Sequence, residues 1–315
     1  MEDRRSRVGL AFVPVDAAHG VELIGRAEAA GVATAWAVMP ATRLDTLTLF
    51  AAAAVQTGRI ALGTAIVPAF IQHPLKLATQ ALALEGLAPG RLRLGIGTAH
   101  ARTMVDVYHL PFDRPLSRLR EHLHVLRSVL RDGEVSFAGE FYAVDAALGA
   151  APGTPVLVSA LRAPAFRLAG EASDGALSWL CPLDYLLREA APAMAEGAAA
   201  AGRPVPPLLA HVPVVVASDR AIVRARAREQ LAGYASAPFY ARMFADAGYP
   251  LDAAGAVTDA LIDDLVVGGD EAAIAAGLGA RLDRLGAADE LLVSLLPGPD
   301  RRAEEDALLR ALALV

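Results

Sequence analysis

The chain has 315 residues, a formal net charge of -6, 55% hydrophobic and 20% charged side chains, and one cysteine. That length suits one α/β barrel or two ordinary domains, and the apolar content suits a full-sized core rather than a disordered chain. The acidic balance lacks the electrostatic footprint of a nucleic-acid binder, and Cys181 alone builds neither a disulfide framework nor a cysteine zinc site, which fits a reducing cytoplasm.

From the amino end, the apolar stretch Val8 to Val15 stops at Asp16 without a long hydrophobic region, so no export signal is expected. Strand-length apolar segments then alternate with segments of helical period, the pattern of parallel βα units. The strands are expected at Val8–Val13, Ala33–Met39, Ile60–Val67, Leu92–Gly97, Pro155–Ala160, Ala176–Leu180, Leu209–Val216 and Glu290–Leu296. Helices are expected at Val21–Ala30, Thr46–Gln56, Leu75–Leu87, Ser117–Arg131, Pro164–Glu171, Tyr185–Ala200, Ala221–Tyr234, Ala272–Leu285 and Ala303–Leu312. This repetition suggests a closed (β/α)8 TIM barrel, residues 1–315 forming a single domain. Two connections are too long for simple loops: about 132–153, which reads as a β-hairpin excursion, and about 235–269, rich in aromatics for this chain. The uncharged runs Ile60–Leu75 and Ala146–Leu161 fall short of the ~20 residues of a membrane helix, so no membrane partner is expected. Lys76 is the sole lysine among 29 basic side chains, but the arginines scatter over helix faces and assign no function.

Gly95-Ile-Gly97-Thr98-Ala-His100 follows a strand but lacks the third glycine of a dinucleotide fingerprint. It reads as backbone open to a ligand at the carboxyl face of a parallel sheet, where barrel sites lie. His73 and His100 fall in loops on that face, and His109 is a weaker candidate. His122 and His124, two residues apart on one helix, diverge, and no metal is assigned. Cys181 reads as a small buried thiol rather than a nucleophile.

Four segments in order resemble the luciferase-like monooxygenase superfamily, specifically its branch of oxidoreductases using the deazaflavin coenzyme F420. They are Leu62-Gly-Thr-Ala-Ile-Val-Pro with Gln72-His-Pro, Gly90-Arg-Leu-Arg-Leu-Gly-Ile-Gly with His100, Leu168-Ala-Gly-Glu-Ala-Ser-Asp-Gly, and Trp179. The resemblance runs from about Val8 to Gly202 and resumes near Gly268. It implies a bacterial luciferase-like barrel whose third strand ends in a bulge with a non-proline cis peptide at Ala65–Ile66. It also implies that the turn Ser159-Ala160-Leu-Arg162-Ala163-Pro164 offers backbone N–H groups to the cofactor phosphate. Many relatives carry Gly-Pro where Arg162-Ala163 align here, and Arg where Gln72 stands.

By that resemblance, the expected reaction is hydride transfer between coenzyme F420 and a small organic substrate, with His100 as proton donor or substrate orienter. Trp36, Met39, Ala65, Ile66, Gly97, Thr98, Ser159, Ala160, Arg162 and Ala163 are then expected at the cofactor, and Phe70, Tyr108 and Trp179 at the substrate. For Trp36 and Met39, core packing competes with that role, because barrel strands alternate inward and outward. The rivals are a reduced-FMN monooxygenase on the same fold and a non-catalytic ligand-binding barrel. Homo-oligomerisation is a further expectation.

Overall fold

The computed structural model describes residues 4–315. Its strands are β1 (Val8–Phe12), β2 (Thr34–Ala37), β3 (Ala61–Thr64), β4 (Val67–Pro68), β5 (Leu92–Gly97), β6 (Glu134–Ala138), β7 (Ala143–Ala147), β8 (Val156–Ser159), β9 (Ala176–Leu177), β10 (Leu208–Val216), β11 (Val267–Gly269) and β12 (Glu290–Leu295). β1, β2, β3, β5, β8, β9, β10 and β12 pair in parallel as successive staves, with β4 extending the β3 stave along β5. β12 returns to β1 and β9 pairs β10, closing a (β/α)8 barrel. β11 pairs only with the carboxyl end of β10. β6 and β7 form a separate antiparallel hairpin, tied down where the Glu121 carboxylate accepts the N–H groups of Glu140, Phe141 and Tyr142. Among the described residues, no helix is long and apolar enough to cross a membrane.

Helices start where the sequence supplies a cap. Asp16, Asp45, Asp270 and Asp300 each accept the N–H three residues on, satisfying a donor that the first turn leaves orphaned. The helix Pro115–Asp132 shows the division of faces: Leu119, Leu123, Leu126 and Leu130 are buried, while Arg120, Arg127 and Arg131 face outward into ion pairs. It stops at Gly133, whose φ of 79° suits glycine and few other residues.

Inside the barrel, Ala11, Trp36, Ala65, Leu157, Leu177, Leu209 and Leu292 pack into one layer. Trp36 is wholly buried, and its ring occupies space that side chains on the flanking strands would need: a Cβ on Gly9 would lie 2.7 Å from Trp36 Nε1, and one on Gly63 would lie 2.2 Å from Cε3. Beneath it, the Arg93 guanidinium sits 4.7 Å from the ring centroid and is held in a bidentate pair by Glu290 at 2.7 and 2.8 Å. The barrel is therefore plugged, and any ligand must sit above this layer.

Candidate active site

Side chains two residues beyond the plug point into the next layer, because inward positions recur with period two. Beyond Leu177, Leu209, Leu292 and Leu157 come Trp179, His211, Ser294 and Ser159. The barrel thus turns from aliphatic to polar and aromatic in one step toward its carboxyl mouth. The β3 stave breaks at the same level. The Ala65–Ile66 peptide bond is cis, and pairing to β5 resumes only at Val67. Thr64 holds the break shut on one side, its Oγ donating to the Gly95 carbonyl at 2.8 Å and accepting the Gly95 N–H at 2.9 Å. Ile66 and Trp179 both rest on the plug, so the bent strand and the Trp179 wall share one floor.

The glycines of β5 serve this packing rather than an open approach. A Cβ on Gly95 would meet the Thr64 carbonyl at 2.1 Å, and one on Gly97 would meet Ser159 Oγ at 2.1 Å with Ile66 Cδ1 at 3.1 Å. The space beside Gly97, read in the sequence as room for a ligand, is filled by protein. Thr98 follows, partly exposed, and Ala99 takes a left-handed φ of 57° that turns the chain toward His100. The His100 ring lies 5.2 Å from Phe239 and 6.4 Å from Tyr240, both on the helix Pro238–Asp246. Partial burial there holds its pKa below the ordinary histidine value.

Across the mouth, Ser159 and the buried Ala160 lead into the helix Ala163–Ala172. Arg162 is its N-cap residue and provides no side-chain cap; Pro164 lacks an N–H and the Ala165 N–H turns back to the Arg162 carbonyl at 2.9 Å, which leaves the Ala163 N–H as the first-turn donor without a partner among the described residues. The Arg162 guanidinium lies 3.5 Å from Asp246, at the end of the same helix that covers His100.

A cavity of about 400 Å3 opens between β1, β9, β10, β12 and the helix Arg220–Ala235. Its walls include Phe12, Val38, Trp179, His211, Tyr234 and Ser294. The Trp179 and His211 rings stack at 3.6 Å and 10°. His211 is buried, which pushes its pKa down to about 3 and keeps it neutral. Its Nδ1 accepts the Leu180 N–H at 3.3 Å, so Nε2 carries the proton and donates to Ser294 Oγ at 2.8 Å. Leu180 makes that bond from a left-handed φ of 56°, a conformation costly to a branched side chain and held here by the imidazole. At the other end of the stack, Trp179 Nε1 donates to the Tyr234 hydroxyl at 3.1 Å. A hollow of about 530 Å3 outside the barrel, along Arg120, Arg127 and Arg131, is remote from this layer, and those arginines are engaged by Glu171 and Asp174.

The expected site residues therefore divide. Ala65 belongs to the plug; Ile66 and Trp179 rest on it, with Ser159 against Ile66 beside Gly97, and Arg162 and Ala163 mark the start of the helix that follows β8. Met39, partly buried, follows β2. Trp36 belongs to the plug, its ring enclosed by Gly9, Gly63 and Arg93. Phe70 stacks on Phe112 at 4.8 Å and under the Arg118 guanidinium, 4% exposed, which makes it a packing residue. Tyr108 is partly exposed and its hydroxyl donates to the Ala41 carbonyl, joining two loops. Neither Phe70, Tyr108 nor His100 lines the cavity. Sequence reasoning missed His211, Tyr234 and Ser294. His211 carried a signal, as a polar residue inside the apolar run of β10.

A family model described as luciferase-like monooxygenase matches residues 6–289. The F420-dependent glucose-6-phosphate dehydrogenase of Nocardia farcinica is 33% identical over 186 residues, 55% of this chain and 54% of that protein. The chain thus spans about half the length of this curated relative. Among solved structures, the coenzyme F420 dependent tetrahydromethanopterin reductase from Methanopyrus kandleri superposes with a TM-score of 0.77 at 22% identity, covering 98% of this chain and 96% of that one. The oxygenating constituent of 3,6-diketocamphane monooxygenase from Pseudomonas putida, in complex with FMN, superposes with a TM-score of 0.72 at 21% identity, covering 98% and 96%. These two share the barrel fold. With the matched model spanning most of its length, the chain belongs to the luciferase-like monooxygenase family.

Proposed function

We propose that the protein is an oxidoreductase that exchanges a hydride between coenzyme F420 and a small organic substrate. The observation that carries this reading is the break in the third stave between Thr64 and Val67, with Ile66 packed toward Ser159 and the helix starting after Arg162 close behind it. The residues suit the group: a flat ring fits against a bent strand above a dry plug, and an anionic tail fits the helix start with its guanidinium. The F420-dependent name of the Nocardia farcinica relative supports the choice of carrier.

When bound, the deazaflavin exchanges a hydride at its C5 position and reacts little with oxygen. The chain's own tasks are then to position, to exclude water and to manage one proton. Ala65, Ile66, Thr98 and Ser159 border the ring in this account, and Arg162 with Ala163 receives the anion. The cavity beside Trp179 receives the substrate. His100 stands outside that cavity, in the loop after β5 and 5.2 Å from Phe239, and is the candidate to orient a substrate that extends beyond the cavity. Replacing His100 with alanine is expected to lower turnover and to spare cofactor binding.

Equilibrium titration of the purified chain with F420, and separately with FMN, tests the reading through each cofactor's fluorescence. Preferential F420 binding supports it. Binding of FMN alone would transfer the protein to the oxygen-activating monooxygenases, and binding of neither would leave a ligand-binding barrel.

A further inference from the structure

The turn that leads from β8 into the helix Ala163–Ala172 sorts its donors and acceptors by side. Arg162 is extended, with φ −137° and ψ 161°. Along an extended backbone of planar trans peptides, successive carbonyls point to opposite sides, and each N–H opposes the carbonyl of its own peptide group. The Arg162 carbonyl points along the helix and accepts the Ala165 and Phe166 N–H groups at 2.9 and 3.2 Å. The Leu161 carbonyl and the partnerless Ala163 N–H therefore share the other side. An anion drawn to that N–H meets the Leu161 oxygen beside it, and a carbonyl oxygen with its lone pairs free repels an anion.

That oxygen is engaged from inside the fold. The Tyr185 hydroxyl donates to it at 3.2 Å, and among the described residues it is the only donor that does. Tyr185 is 3% exposed and ends the short helix Leu183–Tyr185 after β9, the stave next to β8. Burial, with Cys181 and Asp246 nearby, pushes its pKa up to about 12, so the hydroxyl keeps its proton and stays a donor at neutral pH. The Arg162 side chain stands on the exposed surface of the turn, 3.5 Å from Asp246. A buried hydroxyl thus holds the turn from within, while its exposed face keeps a free N–H and a guanidinium.

We propose that Tyr185 is a positioning residue for the anionic tail of the carrier: its hydroxyl takes up the Leu161 oxygen and holds the turn in which the Ala163 N–H faces the tail phosphate. Tyr185 acts through the turn rather than on the ligand. The inference rests on the F420 reading for the place of the tail and adds how the fold readies that place. Phenylalanine at this position keeps the buried ring and removes only the donor, which leaves the Leu161 oxygen free to turn its lone pairs toward the anion. Because the contact serves the phosphate alone, a carrier with the same ring and no phosphate is indifferent to it.

Fluorescence titration of the wild type and of Tyr185→Phe, each with F420 and with its deazariboflavin moiety, the same ring without the phosphate, reads the effect. FMN and riboflavin form a second pair of the same kind. Tyr185→Phe is expected to weaken the phosphate-bearing member of the bound pair about fivefold and to leave its tailless partner within about twofold. An equal loss for both members would mean that the hydroxyl serves packing, and an unchanged affinity for the phosphate-bearing member would mean that it does nothing for the tail; either result overturns the inference. Amide hydrogen exchange of the wild type is independent of how the variant folds: F420 should slow exchange in peptides covering residues 161–163 and the tailless ring should not, whereas slowing by neither, or by both alike, also overturns it. The cofactor reading fails separately. Should the wild type bind FMN and not F420, that reading falls and the inference is judged on FMN and riboflavin. F420 binding that Tyr185→Phe leaves intact sinks only the inference, and binding of neither phosphate-bearing carrier sinks both.

Discussion

Replacing Gly63 with alanine would bring a methyl group 2.2 Å from Cε3 of Trp36, where ordinary contact begins at 3.4 Å. The ring has nowhere to go. It is fully buried, its indole nitrogen lies against Gly9, and the Arg93 guanidinium beneath it is pinned by two bonds to Glu290. Overpacking a close-packed core typically costs about 1–3 kcal/mol, and the rigid surroundings place Gly63→Ala at the upper end. Guanidinium denaturation followed by circular dichroism would measure it. Gly25→Ala is the control: its added Cβ meets nothing within 4 Å on the helix Ala17–Ala29, so it should stabilise by about 0.5–1 kcal/mol. Adding Trp36→Phe to Gly63→Ala should recover at least about 1 kcal/mol of what Trp36→Phe and Gly63→Ala lose separately. A Gly63→Ala protein within about 0.5 kcal/mol of wild type, with no coupling to residue 36, would refute the tight plug and with it the placement of the ligand above it.

Three further outcomes follow from buried titratable groups and from the mouth. His122 and His211 titrate at about 3 in the fold because of burial, against about 6.5 in the unfolded chain. Below pH ~6.5 the unfolded chain binds the additional protons, so stability falls with pH by up to ~1.4 kcal/mol per unit per histidine; a flat denaturation profile from pH 7 to 4.5 would contradict this. The Cys181 thiol, pushed up to about 12 by burial, should resist a thiol reagent at pH 8 in the native protein and react stoichiometrically once unfolded; rapid native labelling would place it on an accessible surface. Asp246→Asn should free the Arg162 guanidinium and tighten F420 binding a few-fold at low salt, whereas Arg162→Ala should weaken it; equal affinities in both would remove Arg162 from the anion site.

Much of the barrel was legible because its periodicities are local. The stretch Leu92–Gly97 and the leucine row from Leu119 to Leu130 state their elements outright. The third stave was harder: Ile60–Val67 reads as one strand, but the chain divides into Ala61–Thr64 and Val67–Pro68 around the cis bond, a feature that entered only through family resemblance. Within 235–269, the helices Pro238–Asp246 and Asp259–Leu265 and the short strand Val267–Gly269 escaped notice, since each is short and its apolar face is completed by distant partners. The site was less legible for a physical reason. Sequence alternation tells whether a strand residue faces inward, but its height along the axis depends on how the strands are staggered. The family resemblance puts Trp36 at the cofactor, whereas its ring packs with Leu209 and Leu292 inside the barrel, the core-packing alternative that strand alternation allows. His211 stands out as a polar residue in the apolar run of β10, but that its ring reaches Ser294 is not legible in either strand alone, since in the β10–β12 ladder His211 pairs with Leu292 and Ser294 with Pro213.

A crystal soaked with coenzyme F420 tests most directly where a deazaflavin rests on this barrel. The account predicts density for the ring against Ala65–Ile66 above the Trp36 layer, with the anionic tail at Arg162 and the start of the helix Ala163–Ala172. Density elsewhere on the molecule, or a mouth that excludes F420 while admitting FMN to the same shelf, would contradict it.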